Sequence, residues 1–161
     1  RYSASDPRYL LWVHCAFTDS FLRAHEELGY ALPQGADQYV KEWAKSAEPL
    51  GLSSAPQSKA ELESVMDSFA QNEVASIAMT PPIVGFILKP PFSQGGLFFY
   101  RILANAAIAT IDEPFLTVLG LKPRSRIWLK VSKALLDFLS YMLGHESPSQ
   151  KIARARINAL Q

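Results

Sequence analysis

Apolar residues in this chain recur at three- and four-residue steps, and the breaks between the runs are helix punctuation rather than hairpin turns. Asp6-Pro7, Thr80-Pro81 and Ser147-Pro148 each set a capping residue before a proline, whose missing N–H is no loss in a first helical turn. Ser58-Lys59-Ala60-Glu61 has the spacing of a capping box. Gly29, Gly51 and Gly120 offer stops, and Lys89-Pro90-Pro91 ends another run. No alternating strand pattern, hairpin dipeptide or internal repeat competes with this reading. The spacing predicts an all-α chain of seven or eight helices: 6–28, 35–47, 58–72, 80–88, 97–111, 113–119, 125–143 and a basic one from Ser147, with 92–96 as a loop.

A chain of 161 residues, 48% hydrophobic and 19% charged, is expected to be a single helical domain over 1–161 with a sizeable core, not a disordered segment. Its 16 Lys and Arg against 15 Asp and Glu exclude a globally basic nucleic-acid binder, so no nucleic acid is expected as partner. The lone Cys15 excludes an internal disulfide and a Cys-rich zinc site. No secretory signal opens at Arg1, so the expected location is intracellular, either cytoplasmic or peripherally membrane-associated. The charges are segregated: residues 19–73 carry ten acids and four bases, residues 89–161 ten bases and four acids, and 74–88 none. Two solvated faces attracting each other across one fold account for this. The other reading is a basic surface, formed by Lys122, Arg124, Arg126, Lys130 and Lys133 around Trp128, for an acidic partner or a membrane. The apolar run Leu97–Ile111 contains Arg101 and falls short of the roughly 20 residues a bilayer span needs.

Few residues offer chemistry. There is no Gly-x-Ser-x-Gly turn and no phosphate-cradling glycine loop. His14 and His25 would share one helix but stand about 16 Å apart at 1.5 Å per residue, too far to hold one ion. His14 lies on a stripe with Leu10, Leu11, Phe17 and Phe21. It is either a core histidine bonded to the backbone or an axial ligand to haem iron, for which the stripe supplies flat apolar walls and a carbonyl such as that of Leu10 could hold the second ring nitrogen. Cys15 reads as a small packed hydrophobe rather than a thiolate ligand. Asp19 reads as a structural bond to a neighbouring helix end. Arg101 and Asn105, one turn apart, are either a buried structural pair or a contact to a haem propionate. On residue physics alone both readings of His14 stand.

The stretch Tyr2–Ser20, with Leu11-Trp12-Val13-His14-Cys15 at its centre, resembles the signature region of the haem-b oxygenases of the latex clearing protein (rubber oxygenase) and MpaB kind. That family carries a Leu-Trp-Val-His-Ala pattern followed by an aliphatic residue, Asp and Ser, on a helix of an all-α, globin-like core. The resemblance implies that His14 is the axial ligand of haem b; the stripe of Leu10, Leu11, Phe17 and Phe21 would then wall the cofactor, and Arg101 is the candidate for a propionate contact. It also implies dioxygen and an apolar, isoprenoid-type substrate whose carbon–carbon double bond is cleaved. Tyr39-Val40-Lys41-Glu42, Gly51-Leu52, Thr80-Pro81, Lys89-Pro90-Pro91 and Leu119-Gly120-Leu121 are similar to later pieces of the family, but only the segment around His14 is specific. Cys15 stands where Ala is commoner, and Phe17 replaces a smaller aliphatic residue. The family's distal Arg and Thr or Lys come from helices before the signature. The chain is therefore expected to be the C-terminal, proximal part of a larger oxygenase domain, incomplete at its N-terminus and inactive alone, and its catalytic residues are not identified here.

Two alternatives come from other classes. One is a non-catalytic helical binding or assembly module that kept the fold without haem. The other is a peripheral membrane protein using the Lys122–Lys133 stretch. Val74–Leu88 and Leu97–Ile111 are expected to wall an apolar channel or, failing that, to be ordinary core.

Overall fold

The computed structural model describes residues 6–52, 54–144 and 148–159. Among them the chain is all-α, with eight helices and no strand: α1 (Pro7–Glu27), α2 (Gly35–Ala44), α3 (Lys59–Asn72), α4 (Thr80–Leu88), α5 (Gln94–Ala109), α6 (Glu113–Leu119), α7 (Ile127–Leu143) and α8 (Pro148–Asn158). A short 3₁₀ turn, Glu48–Leu50, follows α2. His145 and the cap expected at Ser147 lie outside the described residues.

Helix starts follow the side chains that satisfy free first-turn amides. Asp6 accepts from the Arg8 amide at 2.9 Å, with Pro7 at the first helical position. Ser58 accepts from the Glu61 amide, and the Glu61 carboxylate accepts from the Gln57 amide, one residue earlier than a capping box places it. Some expectations differ: α2 ends at Ala44, α5 at Ala109, and α7 begins at Ile127. Thr80 is not a cap but the first residue of α4, and its hydroxyl accepts from the Ile77 amide in the preceding turn. The expected loop at 92–96 ends early, because Ser93 caps Gly96 and lets α5 begin at Gln94, absorbing Gly95 and Gly96. α6 ends as read: Gly120 adopts a left-handed φ of 66° and the Leu121 amide returns to the Leu116 carbonyl at 2.9 Å.

Packing centres on α1. Its buried residues are His14, Cys15, Thr18 and Leu22, of which Cys15 and Leu22 join Val40 of α2 and Leu62 and Met66 of α3 in one cluster. Trp12 meets Phe69 edge-on at 5.2 Å and tilts against Phe115 of α6 at 5.9 Å. α5 packs along α7, burying Ala106, Ile108, Leu129 and Ser132, whose hydroxyl donates to the Ile102 carbonyl at 3.3 Å. The two groups of helices are tied by charge: Arg23 of α1 reaches Asp112 at the start of α6, and Arg126 pairs with Glu27.

Val74–Leu88 is not ordinary core: α4 buries no residue, and Ile83, Phe86 and Ile87 are exposed. Nor is the basic stretch a free cluster. Arg126 pairs with Glu27 and Lys133 with Asp137, which leaves Lys122, Arg124 and Lys130 without ion pairs among the described residues. No described helix is long and apolar enough to cross a membrane.

Leu62 is fully buried whereas Leu143 is 81% exposed. Urea unfolding of Leu62→Ala is expected to show a loss of about 2–5 kcal/mol, against less than about 0.5 kcal/mol for Leu143→Ala. Equal losses would contradict this placement of the core.

Candidate functional site

At about 100° per residue, α1 presents three faces. One carries Cys15, Thr18 and Leu22 into the core. A second carries Leu10, Phe17 and Phe21, with His14 on the border between the two. The third, opposite His14, carries Trp12, Ala16, Asp19, Ser20 and Arg23.

His14 is 5% exposed, and no hydrogen bond among the described residues engages its ring. The expected bond from the ring to the Leu10 carbonyl is absent among the described residues, although His25 makes the equivalent bond to the Phe21 carbonyl. Thr18 instead fixes the backbone here, its hydroxyl donating to the His14 carbonyl at 2.7 Å. Burial pushes the His14 pKa below its ordinary value, so at neutral pH the imidazole is uncharged and keeps a lone pair on one ring nitrogen. His25, eleven residues on, is held by the backbone: its Nδ1 donates to the Phe21 carbonyl at 3.2 Å.

The face beside His14 is apolar and uncovered. Phe17 is 55% exposed and Phe21 46%, and their rings stack at 6.1 Å with only 16° between planes. Phe21 leans on Trp43 of α2, which stacks on Tyr39, which in turn meets His25. Leu10 is half-buried on the same side. The structure thus brings His14, Leu10, Phe17 and Phe21 together. Leu11 turns the other way and packs against the core cluster. Arg101 is exposed on α5, and no hydrogen bond, ion pair or ring contact of its side chain links it to α1 among the described residues. The Arg101–Asn105 pair is not buried either: Asn105 Nδ2 donates to the Arg101 backbone carbonyl at 2.8 Å, which leaves the guanidinium in solvent. Cys15 is fully buried, and desolvation, reinforced by Asp19, pushes its thiol up to about 11, so it is not a thiolate at neutral pH.

Among the described residues no three of His, Cys, Asp or Glu converge on one point. A single neutral imidazole beside stacked, exposed rings suits a metal that arrives inside a flat macrocycle, which supplies the remaining ligands itself.

Sequence reasoning missed a second feature. Behind the third face of α1 lies a cavity of about 480 Å³, bounded by α1, α3, α5, α6 and α7. Leu103, Ala106 and Ile111 of the Leu97–Ile111 run line it, whereas Val74 is the one residue of Val74–Leu88 that reaches it. The signal was present in the spacing: Ala16, Ser20 and Ala24 form a four-residue stripe of small side chains that cannot fill the gap. At its edge Arg23 donates Nε–H to both Asp19 oxygens at 2.8 Å and meets Asp112 at 2.6 and 2.8 Å. Asp19 therefore does bind a neighbouring helix end, but through Arg23.

The chain finds no match among curated proteins or among solved structures. The family model described as ER-bound oxygenase mpaB/B'/Rubber oxygenase, catalytic domain, matches residues 1–140. With that match running from Arg1 through the whole of α1 and most of α7, the chain belongs to the ER-bound oxygenase mpaB/B'/rubber oxygenase catalytic-domain family.

Proposed function

We propose that this oxygenase domain works with haem b, that His14 is the axial ligand, and that the substrate is an apolar, isoprenoid-type molecule cleaved at a carbon–carbon double bond by dioxygen. The single observation carrying the assignment of His14 is its environment: a buried, uncharged imidazole, free of protein partners, on the border of an exposed aromatic face. Family membership supplies the oxygenase class, and hence dioxygen and an organic substrate. When bound, the group supplies the redox chemistry that activates dioxygen.

The chain's own residues have three tasks. His14 offers its lone pair from a site where burial disfavours protonation, and the Thr18 hydroxyl bond to its carbonyl holds that turn of helix in register. Phe17 and Phe21 give a flat apolar wall beside the imidazole, from which a bound planar group would displace water. Cys15 stays a thiol, which leaves His14 without a soft competitor next to it. The exposed, stacked Phe17 and Phe21 support reading the chain as the proximal part of a larger oxygenase domain, since paired exposed rings beside the site offer apolar surface for a further element to cover.

Titrating hemin into the full-length protein should give a Soret band that His14→Ala weakens, with haem affinity falling by more than the roughly 10–100-fold that loss of an outer-shell partner costs. Far-UV circular dichroism should be unchanged, because the rest of α1 keeps its contacts. An undiminished band in the variant would refute the assignment.

The depressed His14 pKa makes a second, haem-free prediction. The unfolded chain takes up this proton at about pH 6.5 while the folded chain resists it, so stability is full above that pH. It declines as pH falls from there to the lower, folded pKa. Urea midpoints between pH 7 and pH 5 should therefore fall less steeply for His14→Gln than for the parent chain; parallel slopes would mean that His14 is not held neutral by burial.

A further inference from the structure

We infer that the cavity behind α1 is a second binding site, for an apolar chain ended by a hydrogen-bonding head that carries no negative charge, an alcohol being the simplest case. None of His14, Phe17 and Phe21 lines it. His14, Phe17 and Phe21 occupy one side of α1, while Trp12, Ala16 and Arg23 line the cavity from the other. The inference therefore goes beyond the haem reading and does not depend on it.

Three observations carry it. The volume of about 480 Å³ lies within the range of small-molecule pockets, roughly 300–1,000 Å³. Most of the lining is apolar: Met66, Ala106 and Leu129 are all buried, and the hydroxyls of Ser20, Thr110 and Ser132 are each already bonded to a backbone carbonyl. Water entering there would find few partners, so an apolar chain is the better occupant.

The edge is the opposite. Asp19, Arg23 and Asp112 meet there as two carboxylates on one guanidinium, a trio of net charge −1. Asp19 and Arg23 are mostly buried at 14% and 28% side-chain exposure, and Asp112 is 48% exposed. Each carboxylate oxygen keeps a lone pair beyond its bond to Arg23, so the trio can accept from a ligand hydroxyl. A carboxylate or phosphate head would bring a second negative charge beside a trio whose single cation is already spent on two anions. The site thus selects by head group: the alcohol is taken and the fatty acid of the same chain is refused.

Equilibrium dialysis of the full chain against radiolabelled dodecanol and dodecanoate tests this. One saturable dodecanol site per chain is expected, with dodecanoate bound at least about tenfold more weakly, equivalent to 1.4 kcal/mol. Ala107→Trp, at an exposed lining position, should abolish binding by filling the space; Ala16→Leu, from α1, provides an independent block should the first variant misfold. Asp112→Asn should narrow the gap between the two probes by restoring dodecanoate. His14→Ala should leave dodecanol binding unchanged, so a failure of the haem reading would not touch this result. Dodecanoate binding as tightly as dodecanol, the absence of a saturable site, binding that survives both blocking variants, or binding lost in His14→Ala would each overturn the inference.

Discussion

Everything in this molecule hangs on one amphipathic helix that is asked to serve three surroundings at once. Burial of Cys15 and Leu22 of α1 against Val40, Leu62 and Met66 fixes the rotation of α1 about its own axis. Once that rotation is set, the remaining side chains have no freedom of assignment. Leu10, Phe17 and Phe21 must face outward, His14 must sit at the edge of the dry side, and the small stripe Ala16–Ser20–Ala24 must face the cavity. Turning the helix by one residue, about 100°, would exchange these environments.

Charge then holds the helical groups around that axis. Arg23 leaves the cavity side of α1 and ties Asp19 to Asp112, so that the start of α6 is fixed by a distant guanidinium rather than by its own cap. Arg126 does the same from the start of α7 to Glu27 at the end of α1. The segregation of acids and bases along the chain is thereby used in part across the fold, and part of the basic stretch is left open to solvent, at Lys122, Arg124 and Lys130. Desolvation acts on two neighbours in opposite chemical senses but with one outcome. It keeps His14 unprotonated and Cys15 protonated, so both are neutral, and of the two only the imidazole is left with a strong donor lone pair.

The helical architecture was legible because its signals are local. A cap residue, a proline or a glycine acts within one turn, and Asp6, Ser58 and Gly120 behave as their types dictate. Ser93 was overlooked because two glycines behind it mimic a loop, yet a cap hydroxyl outweighs their cost in a first turn. The stripe around His14 was equally legible, being a matter of spacing on one helix. What the sequence hid is pairwise and long-range. Leu11 follows the same spacing but falls on the core side, the Arg101 and Asn105 side chains never meet, and the cavity exists because α1, α5 and α7 each bring small or short side chains to one place. Val74–Leu88 misleads for the same reason, since an uncharged composition speaks to hydropathy and not to which neighbour covers it.

The central claim is that a neutral histidine on α1, not the neighbouring thiol, is the metal-binding atom of an oxygenase. The most direct measurement is the optical and resonance Raman spectrum of the purified full-length protein, before and after dithionite, with histidine labelled by nitrogen-15. The account predicts a Soret band that shifts on reduction and an iron–nitrogen stretch that moves with the label. A protein without a Soret band, or one with the spectrum of a thiolate-ligated haem, would contradict it.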